Sequence, residues 1–266
     1  MQLEGKVVWL TGASSGIGEA MSYELSKQGC KLILSARRQS ELERVKMNCS
    51  NSNIDEVHIL PMDLEAAGEL EEKCQKAQSI YGHIDILINN GGISQRDLAI
   101  NTSLSVDRRL MEVNYFGSIA LSKYLLPEMV KRKQGHHVII TSGVGIISTP
   151  LRSGYAASKH ALHGFYDALR AEHHDDGLKV TIICPGFIRT NISYNALIGE
   201  GQTQNTLDDA QKNGMPSDKF ARKAVNAIKK QREEVYIGGI KEIFGIYVKR
   251  FFPGLYSILV RKMSVT

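Results

Sequence analysis

The feature that most restricts how this chain can fold is a glycine-rich turn, Thr11-Gly12-Ala13-Ser14-Ser15-Gly16-Ile17-Gly18, closing its first apolar run at 7–10. Apolar residues at helical spacing follow at Ile17, Met21 and Leu25, so the turn joins a strand to a helix. The same change of period recurs down the chain. Strand candidates lie at 31–35 and near 57–61, 84–88, 137–141, 179–184 and 234–237. Helical stretches lie near 39–49, 66–81, 103–132, 153–174 and 217–230. Strands alternating with helices specify βαβ units and a mostly parallel sheet. Right-handed crossovers then put helices on both faces. A chain of 266 residues can bury one large α/β core, and no internal repeat or low-complexity linker divides it.

The glycines have a chemical use as well as a geometric one. They let the backbone approach a pyrophosphate, and the helix that starts there points its free N–H groups at the anion. The expected architecture is thus a single-domain, Rossmann-type doubly wound parallel sheet of about seven strands. The turn places Gly12, Ser14, Ser15, Gly16, Ile17 and Gly18 around a dinucleotide. The second strand ends Leu34-Ser35-Ala36-Arg37-Arg38, without the acidic residue that usually accepts ribose hydroxyls. Arg37, with Arg38 beside it, suits a 2′-phosphate, so the expected cofactor is NADP. Asp63 and Leu64, after the third strand, stand where the adenine edge would lie, although Asp63 also reads as a turn or cap residue.

Tyr155 and Lys159 are four apart in a helical stretch and share one face. A phenol titrates near pH 10, too high for acid–base work at neutrality, and a neighbouring cation favours its ionised form. Such a group can protonate a carbonyl oxygen or deprotonate an alcohol. A second pair, Tyr23 and Lys27, has the same spacing, but no suitable polar residue precedes it, and it reads as helix surface. Tyr155 has Ser142 upstream, at the end of the strand near 137–141, where open α/β sheets bind ligands.

These segments occur in a familiar order: TGASSGIG at 11–18, NNGG at 89–92, Asn114, Ser142, YAASK at 155–159 and PGFIRT at 185–190. Together they resemble the short-chain dehydrogenase/reductase family, over roughly residues 5–240. The resemblance implies that Tyr155 is the acid–base residue, and that Lys159 lowers its pKa and holds the nicotinamide ribose. It implies that Ser142 bonds the substrate oxygen and that Asn114 carries a relay water. It also places Asn89 and Gly91 along the adenosine side, and Pro185, Gly186, Ile188 and Thr190 around the nicotinamide. Gly91 stands where the family commonly has alanine, which is expected to loosen that loop slightly. The implied assembly is a homodimer or homotetramer paired through the helices carrying Asn114 and Tyr155.

Composition removes other classes. The 33 basic and 28 acidic residues leave a formal charge of +5, too little for a nucleic-acid partner. Cys30, Cys49, Cys74 and Cys184 form no CxxC pair and read as thiols of a reducing compartment. Adjacent residues do not face one site, so His136-His137 and His173-His174 read as structural rather than metal-binding. The opening residues lack a signal-peptide pattern, and no stretch of about 20 apolar residues exists, so cytoplasmic residence is expected.

The polar segment 187–216 interrupts the alternation and reads as a lid on a domain spanning 1–239. The tail, 240–266, is apolar and basic. Ile243, Phe244, Tyr247, Val248, Phe251, Phe252, Leu255, Ile258 and Leu259 are interspersed with Lys241, Lys249, Arg250, Arg261 and Lys262. It reads either as an interfacial element that dips into a membrane or caps a lipophilic site, or as packing against the body or a partner subunit. It resembles the tails of the membrane-associated branch of the family that includes 11β-hydroxysteroid dehydrogenase, whose members reduce steroids, retinoids and other lipophilic carbonyls. The expected substrate is accordingly a small lipophilic carbonyl compound or alcohol. Two other readings share the fold. One is a cofactor-binding scaffold or redox sensor without turnover, which the intact Ser–Tyr–Lys–Asn set argues against. The other is a nucleotide-sugar epimerase, which the chain length and Arg37 argue against.

Overall fold

The computed structural model describes residues 1–49 and 51–261. Strands β1 (Val7–Thr11), β2 (Lys31–Ser35), β3 (Val57–Ile59), β4 (Ile86–Asn89), β5 (Gly135–Ile140), β6 (Leu178–Pro185) and β7 (Glu234–Ile237) form one sheet. Their order is β3-β2-β1-β4-β5-β6-β7 and every neighbouring pair is parallel. Helices α1 (Gly16–Lys27), α2 (Gln39–Met47), α3 (Leu70–Tyr81), α4 (Leu104–Met111), α5 (Gly117–Arg132) and α6 (Ser153–Glu172) alternate with the strands. They are followed by α7 (Asp209–Lys212), α8 (Ser217–Lys229), α9 (Ile240–Phe251) and α10 (Pro253–Val260).

The two-residue period of the strands sorts the core into layers. Val8 and Leu10 of β1 pack with Met21 and Leu25 of α1, Leu42 of α2 and Phe220 of α8. Val7 and Trp9 face the opposite layer, with Leu70 and Cys74 of α3 and Leu121 and Leu125 of α5. Helix α6 continues that second layer over β5 and β6 through Leu162, Tyr166 and Leu169. Trp9 is fully buried, and its indole N–H donates to Ser35 Oγ at 2.8 Å, so that donor is not stranded in the core. The strand order reverses between β1 and β4, which opens a crevice at their carboxyl ends.

The helical pattern over 103–132 is not one α-helix. A π-turn at Glu112–Phe116 separates α4 from α5 and carries Asn114. The Asn114 amide is drawn towards the loop after β4: Oδ1 accepts from the Ile93 N–H (2.8 Å) and Nδ2 donates to the Ile93 carbonyl (3.0 Å). A side chain bonded from both ends to another segment favours the extra residue in the turn.

The polar segment 187–216 is tied to the body rather than loose. Bridges join Ile188 to Met215, and Leu197 to both Gln95 and Thr203. The tail forms α9 and α10, whose Ile246, Val248 and Tyr256 bury against Ile147. The Tyr256 hydroxyl donates to the Ser148 carbonyl at 2.6 Å. No helix of the described residues is long and apolar enough to cross a membrane. Lys262, counted above among the tail's cations, lies outside the described residues.

Candidate active site

A cavity of about 1460 Å³ occupies the crevice above β1, β4, β5 and β6. The glycine-rich turn forms its floor. Gly12 and Gly16 adopt φ of +66° and +59°, the left-handed region that favours glycine. A Cβ on Gly12 would lie 2.7 Å from the Gly91 Cα, and one on Gly18 would lie 2.1 Å from the Gly12 carbonyl oxygen. The turn is therefore as tight as a chain without side chains allows. Thr11 stitches it to the loop after β4, its Oγ1 accepting from the N–H groups of Asn90 and Gly91 at 3.0 Å each. The Asn90 amide donates back to the Thr11 carbonyl at 3.0 Å. Helix α1 begins at Gly16 behind an extended Ser15, so its first N–H groups open towards the cavity. These features fit a dinucleotide pyrophosphate, which needs close backbone approach and N–H donors.

Gly12, Ser14, Ser15, Gly16, Ile17, Arg37, Arg38, Asp63, Leu64, Gly91, Pro185, Gly186, Ile188 and Thr190 all line this cavity. Gly18 lies behind the turn, where its lack of a side chain admits the Gly12 carbonyl. Arg37 and Arg38 are exposed at the carboxyl end of β2. Asp63 combines both roles considered for it: it lines the cavity, and its Oδ1 accepts from the Glu65 N–H at 3.1 Å. Asn89 is placed differently from the expectation. Its amide points into the core, donating to Tyr166 OH (2.9 Å), Ser122 Oγ (3.1 Å) and the Ser118 carbonyl (3.3 Å), and it is Asn90 that reaches the cavity. The parallel register puts Asn89, the last residue of β4, opposite Ile139 and so within the sheet.

At the other end of the cavity, Ser142 follows β5 in extended conformation and caps the short turn Gly143–Gly145, accepting from the Val144 N–H at 3.2 Å. Helix α6 crosses this turn. A Cβ on Gly145 would come within 3.2 Å of Lys159, so the glycine sets how closely helix and turn approach. This brings Ser142 beside Tyr155 at one end of the cavity. The Tyr155 side chain is buried, and burial pushes its phenol up. The Ser142 hydrogen bond and the charges of Arg152 and Arg96 pull it back down. Lys159 is also buried, which brings its ammonium down to about 8. Its Nζ lies 5.9 Å from the Tyr155 ring centre and donates to the Ile140 carbonyl at 3.0 Å. Asn114 does not line the cavity. It joins the π-turn to α6 through Ser158 Oγ at 2.9 Å. The other Tyr–Lys spacing, Tyr23 and Lys27, has its half-buried phenol donating to Glu19 within α1 and does not line this cavity.

The sequence reading missed several residues that build this end. Gln95 is fully buried, and its Oε1 accepts from the N–H groups of Gly154 (2.8 Å) and Tyr155 (3.3 Å). A residue 60 positions away thus caps the helix carrying the tyrosine. Arg96, Arg152 and Asp208 form a buried ionic group beside it. The tail completes the wall with Phe244, Gly245, Val248, Tyr256 and Leu259.

Residues 6–200 match the family model described as short chain dehydrogenase. The chain belongs to the short-chain dehydrogenase/reductase family of oxidoreductases. It is similar to the human dehydrogenase/reductase SDR family member 7, with 44% identity over 99% of this chain and 79% of the relative. It is also similar to the Drosophila melanogaster dehydrogenase/reductase SDR family protein 7-like, with 41% identity over 99% of this chain and 82% of the relative. Among solved structures, a short chain dehydrogenase/reductase from Burkholderia phymatum in complex with NAD shares the fold, with a TM-score of 0.83 at 20% identity and 96% of each chain covered.

Proposed function

We propose that this chain is an NADP(H)-dependent oxidoreductase that interconverts a lipophilic carbonyl compound and its secondary alcohol. The observation that carries the reading is the convergence of Ser142, Tyr155 and Lys159 at one end of a cavity whose other end is the glycine-rich turn. Gly12 to Ile17 would hold the pyrophosphate, Arg37 the 2′-phosphate, Asp63 the adenine edge, and Ile188 and Thr190 the carboxamide. When bound, the nicotinamide supplies or accepts the hydride.

The chain's own residues manage the proton and the position. Ser142 donates a hydrogen bond to the substrate oxygen and orients it towards the Tyr155 hydroxyl. Tyr155 gives its proton to that oxygen in reduction and takes one in oxidation. Burial alone would make the phenol a poor base, so the hydrogen bond and cations around it are needed to poise it. Lys159 secures the ribose, and Asn114 keeps the π-turn against α6 so that a relay water has a fixed carbonyl to bind.

The apolar wall formed by α9 and α10 supports a lipophilic substrate. Their outer faces expose Tyr247, Phe251, Phe252, Leu255 and Ile258 alongside Lys249 and Arg250, which supports peripheral contact with a membrane from the cytoplasmic side. Pairing of subunits through α5 is supported by exposed Phe116 and Tyr124. The working division is a catalytic domain at 1–239 and a tail at 240–266.

The test is a fluorescence titration of the purified protein with NADPH and NADH, repeated with Arg37→Ala. Tighter binding of NADPH, lost in the variant, is the expected result. Tighter binding of NADH, or indifference to the substitution, overturns the cofactor assignment.

A further inference from the structure

The segment 187–216 sends a buried glutamine to the loop after β6. Gln211 is 5% exposed and stands on α7. Its Nε2 donates to the Ile188 carbonyl and to Thr190 Oγ1, the latter at 3.1 Å. A carbonyl oxygen only accepts, so the bond to Ile188 fixes which end of the amide carries the hydrogens. The second of those hydrogens is the one pointed at Thr190. The Ile192 N–H is aimed at the same Thr190 oxygen from 3.4 Å. A hydroxyl has two lone pairs and one proton. With two N–H groups directed at its lone pairs, Thr190 is left to act as a donor.

The placement of the side chain agrees. Thr190 lines the cavity. A Cβ on Gly16 would lie 3.0 Å from the Thr190 methyl carbon, so the methyl is the branch that faces the phosphate turn. A hydroxyl serving the pyrophosphate would sit the other way round. Helix α7 is itself pinned. Asp208, just before it, has a side chain only 1% exposed, which accepts from Arg96 Nε at 2.7 Å and from Gln204 Nε2 at 3.0 Å. The Asp208 N–H donates to Ser193 Oγ at 3.2 Å, and the Gln211 N–H donates to the Asp208 carbonyl at 3.0 Å. An amide placed before a ligand arrives loses little freedom when it binds.

We propose that Gln211 is a positioning residue for the nicotinamide: by filling the acceptor side of Thr190 it makes that hydroxyl a donor, so the site grips the carboxamide by its carbonyl oxygen rather than by its amino group. This rests on the reading of the cavity as a nicotinamide dinucleotide site. A carboxamide offers an acceptor and a donor, and half a turn about its bond to the ring exchanges them. A threonine with a free lone pair would serve either orientation. The one in this chain favours a single orientation and so holds the ring in one pose. The segment that walls the substrate side thereby acts on the cofactor too. One such hydrogen bond is worth roughly five- to tenfold in affinity.

The test measures binding of NADP+, NAD+ and their 3-acetylpyridine analogues, which keep the carbonyl and lack the amino group. 2′,5′-ADP and ADP serve as probes of the adenosine end alone. The proteins are wild type, Thr190→Val, Thr190→Ser and Gln211→Glu, the last of which keeps the size of the side chain but draws the Thr190 proton to itself. Thr190→Val and Gln211→Glu should weaken the natural dinucleotides and the analogues alike, roughly five- to tenfold, and leave the adenosine probes unchanged. Thr190→Ser should recover most of the loss seen in Thr190→Val. Weakening of the natural dinucleotides alone, with the analogues indifferent to Thr190→Val, shows that Thr190 accepts from the amino group and overturns the proposal. Indifference of every dinucleotide to Gln211→Glu overturns it and leaves the cofactor site standing. Weaker binding of 2′,5′-ADP and ADP in step with the dinucleotides makes Gln211 a structural residue and also overturns it. Failure of the wild type to bind any of these compounds overturns the cofactor reading and the proposal together.

Discussion

Acidification from pH 7 to pH 5 should cost this fold about 4 kcal/mol through two histidines alone. His136 and His137 sit on β5 with 3% and 0% of their surface exposed. Burial pulls His136 down to about 3 and His137 down to about 4, from 6.5. A depressed folded value means the stabilisation is present above the unfolded pKa, near 6.5, and is lost as pH falls towards the folded values. At pH 5 each unfolded imidazole holds nearly a whole proton and each folded one almost none. Each histidine therefore removes about 2 kcal/mol relative to pH 7. Carboxylates held low by their partners, such as Glu19 and Asp97, titrate below this window and contribute little within it. The assay is urea unfolding at pH 7 and pH 5 for wild type and His137→Leu. Neither His137 ring nitrogen has a hydrogen-bond partner, so leucine removes the titration without breaking such a bond. The loss should fall from about 4 to about 2 kcal/mol in the variant. An identical loss in both proteins would refute the reasoning, since His137 would then not be a neutral buried group.

Three other outcomes follow from the site. Tyr155→Phe should lower turnover by roughly a hundred- to ten-thousandfold while leaving cofactor titration close to wild type, because the phenol moves a proton and forms little of the dinucleotide cradle. Gly91→Ala and Gly18→Ala should differ sharply. The first new methyl meets the mobile end of Leu64, and the second meets the Gly12 carbonyl at 2.1 Å, so only Gly18→Ala should abolish dinucleotide binding and lower the melting temperature by several degrees. Gln95→Ala leaves the Gly154 and Tyr155 N–H groups without their partner. Chemical denaturation should show a loss of about 1–3 kcal/mol, and kcat should fall more than cofactor affinity.

The alternation of periods was enough to place all seven strands and the helices between them, because the central strands bury both faces and each helix only one. The glycine-rich turn and the Ser142–Tyr155–Lys159 set were legible for a related reason: residues near each other in the chain, or at the ends of adjacent parallel strands, meet by geometry alone. What could not be read was long-range. Gln95 capping α6, and Asp208 bracing Arg96 from 112 residues away, leave no local signature. The π-turn hides inside a pattern that continuous helix would also satisfy. Asn89 shows the limit from the other side, since a one-residue step along β4 decides whether a side chain faces the cavity or the core. In the tail the apolar pattern was plain, but which residues would turn inward depended on the surface that α9 and α10 meet.

The buried ionic group also says where this protein can be cut. The stretch that matches the family model ends at residue 200, inside the segment that crosses the cavity. A fragment ending there would keep Arg96 and discard Asp208, its buried ionic partner, and removing one partner of such a pair typically costs about 3–5 kcal/mol. It would also lose α8, whose Phe220 and Val225 fill the core beside β1, and the edge strand β7. The portion that the family model matches is thus smaller than the portion that can stand alone. A truncated transcript or an expression boundary drawn at residue 200 should yield insoluble chain, whereas one drawn beyond β7 keeps the ionic group whole and puts only the tail at stake.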